Sequence, residues 1–501
     1  MGKLTQPEEP VRRLIPRGFP LTGDLGPGEL DLPRALLALR DRPGLVAMDS
    51  AGGKPARWSL VAFDPFDDFG QDTASAPRSL EELEDRLSAF ELTPGAQESC
   101  DALPFAGGFI GALAYELGAY GEKLELPPPV WPVPPIVGGL YGDWILFEHG
   151  PSPRTTLYLS EGAGGAPGPA SILERYASVV DDLRVGAPAA LPIRSGGLRR
   201  PTSTDEHKAR VEGARAKIAE GEIYQANVAH RMVAETAAQD VDLFLELRRV
   251  NAAPYMGFCR FSFDGDERAG AILSASPELL LELGPDGGGG GRVARTRPIK
   301  GTIGRGQTPR DDEAAREKLL ASKKDRAELA MIVDLERNDL GRIAEPGGVE
   351  VKGFPSIETY ASVHHLVADV VARVRPGASA LDVVASLFPG GSITGAPKLR
   401  SMEVIADLEG EGRGFFTGSL GFVDLRGRVL LNILIRTLIF AAREPEDGGG
   451  ASVSFHVGGG ITWSSVAADE DQETLLKAEG LLRGLGVSGS EPMGRAESPC
   501  G

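Results

Sequence analysis

ILSASPELLLELGPDGGGGGRVARTRPIK, residues 272–300, sets two apolar, partly alternating runs on either side of the glycine stretch Gly287–Gly291. That is a hairpin signature, and the glycines lack the G-x-x-x-x-G-K-[ST] spacing of a phosphate loop. The pattern recurs downstream, where LLNILIRTLIFAAR (430–443) and ASVSFHV (451–457) flank EPEDGGG (444–450). The chain is therefore expected to be rich in antiparallel sheet.

Closing the first hairpin about its glycines pairs Leu283 near Arg292 and brings Glu278 and Lys300 towards the same end. A lysine is a nucleophile only when neutral, and from a reference pKa of about 10.4 only about one in 2,500 is neutral at pH 7. Desolvation, or a neighbouring cation such as Arg297, would have to depress it. Glu278, kept protonated, would then suit a general acid. A plain Lys–Glu cross-strand pair fits the same residues, and both readings stay open.

In the second hairpin Arg436 sits inside an otherwise apolar run, where a buried guanidinium needs an acid or a bound anion. If EPEDGGG makes a simple hairpin, Arg443 pairs near Ala451 and Arg436 near Gly458. Gly458, Gly459 and Gly460 would offer bare amides beside the arginine fork, an arrangement suited to a carboxylate. A structural ion pair is the alternative.

Helices interrupt the strands. Ser203-x-x-Glu206 is a capping box opening a helix with Val211, Ala214 and Ile218. Others are expected over Ala315–Leu340 and Val466–Leu482. The last carries Glu470, Glu473 and Lys477 on one face, and Glu328 adds an acid from the helix before it. Carboxylates from two helices could make a hard-oxygen site for Mg²⁺, but from the residues alone a solvated face with a Glu473–Lys477 pair is the better reading. Val185–Pro201, rich in Pro, Gly and Arg, reads as a linker between halves, and residues beyond Gly486 as a frayed tail.

Composition narrows the class. The chain has 501 residues and a net charge of −18, which gives no general attraction to nucleic acid or anionic membrane. Cys100, Cys259 and Cys500 form no metal or redox motif. The amino terminus, MGKLTQPEEPVRR, lacks a signal-peptide core, and the run Val429–Ala442 is too short and polar to span a bilayer. A cytoplasmic location is expected.

Seven motifs occur in order: SASPE (274–278), RPIKGT (297–302), KDRAE (324–328), DLERNDLGR (334–342), FPGGSITGAPK (388–398), IRT (435–437) and GGGI (458–461). Together they resemble the chorismate-utilising family of anthranilate, aminodeoxychorismate, isochorismate and salicylate synthases, over about residues 204–484. LVAMDS (45–50) and FAGGFIGALAYELG (105–118) resemble the family's amino-terminal region. The resemblance implies an α+β fold, two antiparallel sheets packed as a sandwich with helices outside. It also implies an amino-terminal region 1–200, a chorismate-binding catalytic region 204–486 and a disordered tail 487–501.

By motif, Lys300 matches a nucleophile and Glu278 a general acid. Glu328 and Glu473 match Mg²⁺ ligands, with Glu470 beside them. Arg436, Gly458, Gly460, Lys477, Ser392 and His365 match substrate contacts. Gln225, in GEIYQANV, stands where water-adding members carry a lysine base, and ammonia-using members carry glutamine. The lysine of RPIKGT is typical of aminodeoxychorismate synthase component I, whereas anthranilate synthases usually have alanine there. The resemblance thus points to 4-amino-4-deoxychorismate as product, with anthranilate as the alternative. Ammonia would come from a separate glutamine amidotransferase. Phe416, in RGFFTG, stands where relatives often have tyrosine, so no hydroxyl contact is expected there.

Overall fold

The computed structural model describes residues 11–487 except 22–24, 26–29, 51–56, 71–75, 121, 123, 132, 163–167, 186–192, 264–265, 288–289, 361–362 and 444–449. Cys500 and the expected tail, apart from Val487, lie outside the described residues, as do most of EPEDGGG and part of the expected linker. The described residues form one sheet of thirteen strands and one of ten. No described helix is long and apolar enough to cross a membrane.

Strand alternation builds three apolar layers. Val46, Leu60 and Trp144 point inward from the larger sheet and meet Ile110, Val137 and Phe422 from the smaller one. Their chain neighbours Ala47, Val61 and Ile145 point outward and pack with Leu36 and Leu481 of the helices Leu32–Ala38 and Ala467–Gly484. On the opposite outer face Phe109, Leu140 and Leu281 pack with Leu329 and Val384 of the helices Lys323–Gly341 and Ala380–Leu387. The molecule is therefore a sandwich of two sheets with helices outside.

Each sheet takes strands from both halves. Met256 pairs with Asp49 in the larger sheet, and Ser419 with Leu113 in the smaller. The regions 1–200 and 204–486 are kept here as a proposed division of the sequence. Part of the expected linker is itself sheet: Ser195–Arg199 pairs with Gln225–Thr236.

Both runs that opened the sequence analysis turn out to be broken. ILSASPELLLEL belongs to the larger sheet as far as Ser276 and to the smaller from Leu279. The run 430–443 does the reverse: Val429–Asn432 lies in the smaller sheet and Thr437–Ala442 in the larger. The two crossings lie side by side. Ile433 N donates to Glu278 O at 3.1 Å, and Ala275 N donates to Arg436 O at 3.1 Å. Pro277 has no N–H with which to extend a ladder, and Ser276 Oγ donates instead to Ile433 O at 2.6 Å.

Arg436 is therefore not inside a strand. It sits on a crossing with φ +51°, just short of a ladder that pairs Ala442 with Ala451, one residue from the expected register. The first hairpin is offset by two near its turn, with Leu283 opposite Ala294, and by one beyond a bulge, with Leu279 opposite Arg297. The helix expected over 315–340 is two, Pro309–Ala321 and Lys323–Gly341, because Ser322 caps the second by accepting from Asp325 N at 3.3 Å.

Candidate active site

The crossings expose backbone and side chains between the sheets, and Glu278 and Arg436 both stand on them. Glu278 is 4% exposed, and its Oε1 accepts from Ile299 N at 3.3 Å. Burial pushes this carboxyl up, against the opposing influence of the Ser392 hydroxyl and of Lys300, the Ile299 amide and Arg436. Arg436 makes no ion pair among the described residues. Burial lowers its pKa, and Glu278 is the acid that opposes the shift.

Lys300 follows Ile299 in the strand Ile299–Gly304 and donates to Ser392 O at 3.1 Å. The next residue must be glycine: Gly301 has φ +78°, and a Cβ there would lie 2.9 Å from Asp325 Cβ. Burial lowers the pKa of Lys300; Glu278 and Glu328 oppose the shift and Lys477 adds to it. Ser392 itself is held in the short turn Gly391–Ile393. His365, on the adjacent strand, meets Thr302 Oγ1 at 2.8 Å. It is pushed down to about 4 by burial and by the charges of Arg436 and His364.

A second wall comes from the strand Ala451–Ile461 and the helix Ala467–Gly484. Lys477 donates to Gly458 O at 2.9 Å and pairs with Glu473 at 2.8 Å. Glu470 is buried and accepts from Ser465 Oγ at 2.6 Å; a Cβ on Gly459 would lie 3.1 Å from its Oε2. Gln225 is fully buried with neither amide atom hydrogen-bonded, and a Cβ on Gly460 would lie 2.9 Å from its Nε2. From the helix Lys323–Gly341, Glu328 Oε1 is likewise buried without a hydrogen bond, and Lys324 Nζ is 3.8 Å away. Burial raises the Glu328 carboxyl while Lys300 and Lys324 hold it down and Glu470 raises it further. Glu473, more exposed, is held low by Lys477 despite the opposing effect of partial burial.

Glu278, Lys300, Ser392, Arg436 and His365 thus act on one another from five segments. Glu328, from the helix Lys323–Gly341, and Lys477, from the other wall, reach Lys300 electrostatically. The carboxylates of Glu328, Glu470 and Glu473 do not close into a compact triad. Among the described residues the one cluster with three candidate ligand atoms within 4.8 Å is His207, His230 and Asp471. There Arg200 already neutralises Asp471 and His207 Nδ1 lies 2.9 Å from its Oδ1, so the cluster reads as an ion-pair network. It ties the helix Ala467–Gly484 to the helix Thr204–Ala219.

Sequence spacing did not single out that network, nor Glu336, which is 1% exposed behind Lys300. Acids on a charged helix read as solvated, and the signals for Glu336 were its place eight residues after Glu328 and inside DLERNDLGR. Phe416 is buried and stacks on His456, ring centroids 4.7 Å apart.

Many known proteins match this chain in sequence or in fold. The family described as chorismate binding enzyme matches residues 47–483, from within LVAMDS through the motifs of the second half. An anthranilate synthase component I-like protein of Synechocystis sp. is 36% identical over 394 residues, covering 76% of this chain and 73% of its own. Aminodeoxychorismate synthase component 1 of Bacillus subtilis is 32% identical over 456 residues, 89% of this chain and 92% of its own. The solved structure of anthranilate synthase component I from Streptococcus pneumoniae superposes with a TM-score of 0.70 at 27% identity, over 85% of this chain and 92% of that one. Fold, motif order and likeness along most of its length agree: this chain belongs to the chorismate-binding enzyme family.

Proposed function

We propose that this enzyme aminates chorismate to 4-amino-4-deoxychorismate, taking ammonia from a separate glutamine amidotransferase. The observation that carries this reading is the buried amine of Lys300 beside the buried, raised carboxyl of Glu278. A desolvated lysine has the free amine that attack requires, and a desolvated glutamic acid keeps the proton a leaving hydroxyl requires.

Lys300 Nζ attacks ring carbon 2; the ring double bond shifts and the carbon 4–oxygen bond breaks. Glu278 gives its proton to the departing hydroxyl, which leaves as water. Ammonia then attacks carbon 4, the double bond returns, and the carbon 2–nitrogen bond breaks to free Lys300. Glu278, now a carboxylate, takes the proton shed by the new amine. Arg436 and the amides of Gly458 and Gly460 suit a substrate carboxylate, and Lys477, Ser392 and His365 complete the lining. Gln225 suits an ammonia-using site, because a neutral amide cannot act as a base towards water.

Glu328, Glu470 and Glu473 would hold Mg²⁺, a fit supported by hard oxygen donors and by the buried Oε1 of Glu328, which accepts no hydrogen bond. When bound, the ion would reverse the repulsion between these acids and an anionic substrate.

A partner is needed because glutamine hydrolysis requires an activated thiolate. Cys100 and Cys259 are buried, and burial raises both thiols.

The alternative, anthranilate with release of pyruvate, is favoured by the Synechocystis relative's name. The test is product identification after incubating the chain with chorismate, Mg²⁺ and ammonium. Aminodeoxychorismate supports the proposal, and anthranilate with pyruvate replaces it.

A further inference from the structure

We propose that Glu336 is a positioning residue for the Lys300–Glu278 pair: an uncharged carboxylic acid, packed beneath the turn that holds Lys300, whose ionisation switches the pair off. The inference rests on the reading of Lys300 and Glu278 given above.

The geometry is that of a sealed acid. Glu336 is 1% exposed, and Thr296 Oγ1 donates to its Oε2 at 3.2 Å. Its Cγ lies under the turn, 3.6 Å from where a Cβ on Gly391 would stand. The residue after Gly391 is Ser392, whose carbonyl accepts from Lys300. Glu336 has no ion-pair partner among the described residues. Lys398 faces it from the helix Lys398–Glu409, but that ammonium is bound by Asp339 at 2.7 Å and donates to Leu387 O at 2.7 Å. The other charged groups facing it are Glu278 from the crossing, Asp339 from its own helix and Lys300 from the strand Ile299–Gly304.

A buried carboxylate without a cation is unfavourable, so the group keeps its proton. Burial, then the charges of Glu278 and Asp339, push Glu336 up to about 8, against Lys398 and the Thr296 hydroxyl. At neutral pH Glu336 is therefore uncharged and places no extra negative charge behind the pair. Once ionised it would have two effects of the same sign. It would favour the ammonium form of Lys300, removing the nucleophile, and it would make Glu278 reluctant to give up its proton.

Two readouts test this on the full chain. The first is the pH–rate profile of chorismate consumption with Mg²⁺ and saturating ammonium, for wild type and Glu336→Gln. The expected result is a variant-to-wild-type ratio that rises about tenfold between pH 7 and pH 9, as the wild-type acid ionises. The second needs no turnover: labelling of Lys300 by an amine-reactive reagent, quantified by peptide mass. Above about pH 8 Lys300 is expected to label faster in Glu336→Gln than in wild type. Thr296→Val is the second variant, should the first fail to fold. Removing the hydroxyl takes away a donor that favours the charged form, so the wild-type alkaline limb should move upward. Superimposable rate profiles and equal labelling in all forms would overturn the proposal and leave Glu336 as packing. If no form consumes chorismate but labelling still diverges above pH 8, the reading of the reaction fails while this inference stands.

Discussion

Ile299 donates its amide hydrogen to Glu278 Oε1 at 3.3 Å across 21 residues of chain, and the side chain that follows, Lys300, is thereby delivered beside that carboxyl. Glu278→Gln keeps an acceptor for that amide but has no proton to give. The variant should fold with wild-type thermal stability and consume chorismate about 10²–10⁴-fold more slowly. Steady-state kinetics with a parallel melting curve checks both; an unchanged rate would leave Glu278 a structural acceptor.

Asp471 anchors the helix that carries Glu470, Glu473 and Lys477. Its side chain is buried against Arg200, and His207 Nδ1 lies 2.9 Å from Oδ1. Asp471→Asn would leave the guanidinium without a counter-charge and should cost about 3–5 kcal/mol in denaturant unfolding. Because the helix is also the proposed metal wall, Mg²⁺ should bind more weakly by calorimetry. A stability loss below 1 kcal/mol would show that Arg200 finds another partner.

Acid sensitivity should come partly from His230. It is fully buried, with Nε2 at 2.9 Å from Thr474 Oγ1, and is pushed down to about 2 by burial and by Arg200 and His207. The unfolded chain takes up a proton near 6.5, which the folded state refuses, so stability is full above that pH and is lost as pH falls towards about 2. The slope is at most about 1.4 kcal/mol per pH unit for this one group. His230→Gln should flatten it, so unfolding free energies at pH 7 and pH 5 should differ less in the variant. An equal difference in both proteins would contradict the assignment.

The parts legible in the sequence were those fixed locally. Ser203 and Glu206 form both halves of the capping box, at 3.2 and 2.7 Å, and four residues suffice to specify it. A hairpin drawn from its glycines was enough to bring Glu278 near Lys300, since a slip of one or two residues still leaves both at the same end of the hairpin. The sheet crossings were not legible. An apolar run keeps the same composition on both sides of Pro277 or of Ile433, and periodicity carries no record of which sheet a residue joins. The same limit misplaced Arg436, read as a strand residue but found at positive φ on a crossing. Asp471 and His207, 264 residues apart, meet only through packing, and Glu336 sits among charged neighbours that suggest a solvated face.

The central claim is that Lys300 bonds covalently to the substrate. The direct measurement is mass analysis of the peptide containing Lys300 after the enzyme is mixed with chorismate and Mg²⁺ and quenched, without ammonia. The account predicts an adduct of chorismate less one water on Lys300, absent in Lys300→Ala, whose turnover should fall by about three orders of magnitude or more with the fold intact. No adduct on Lys300, together with full activity in Lys300→Ala, would contradict it.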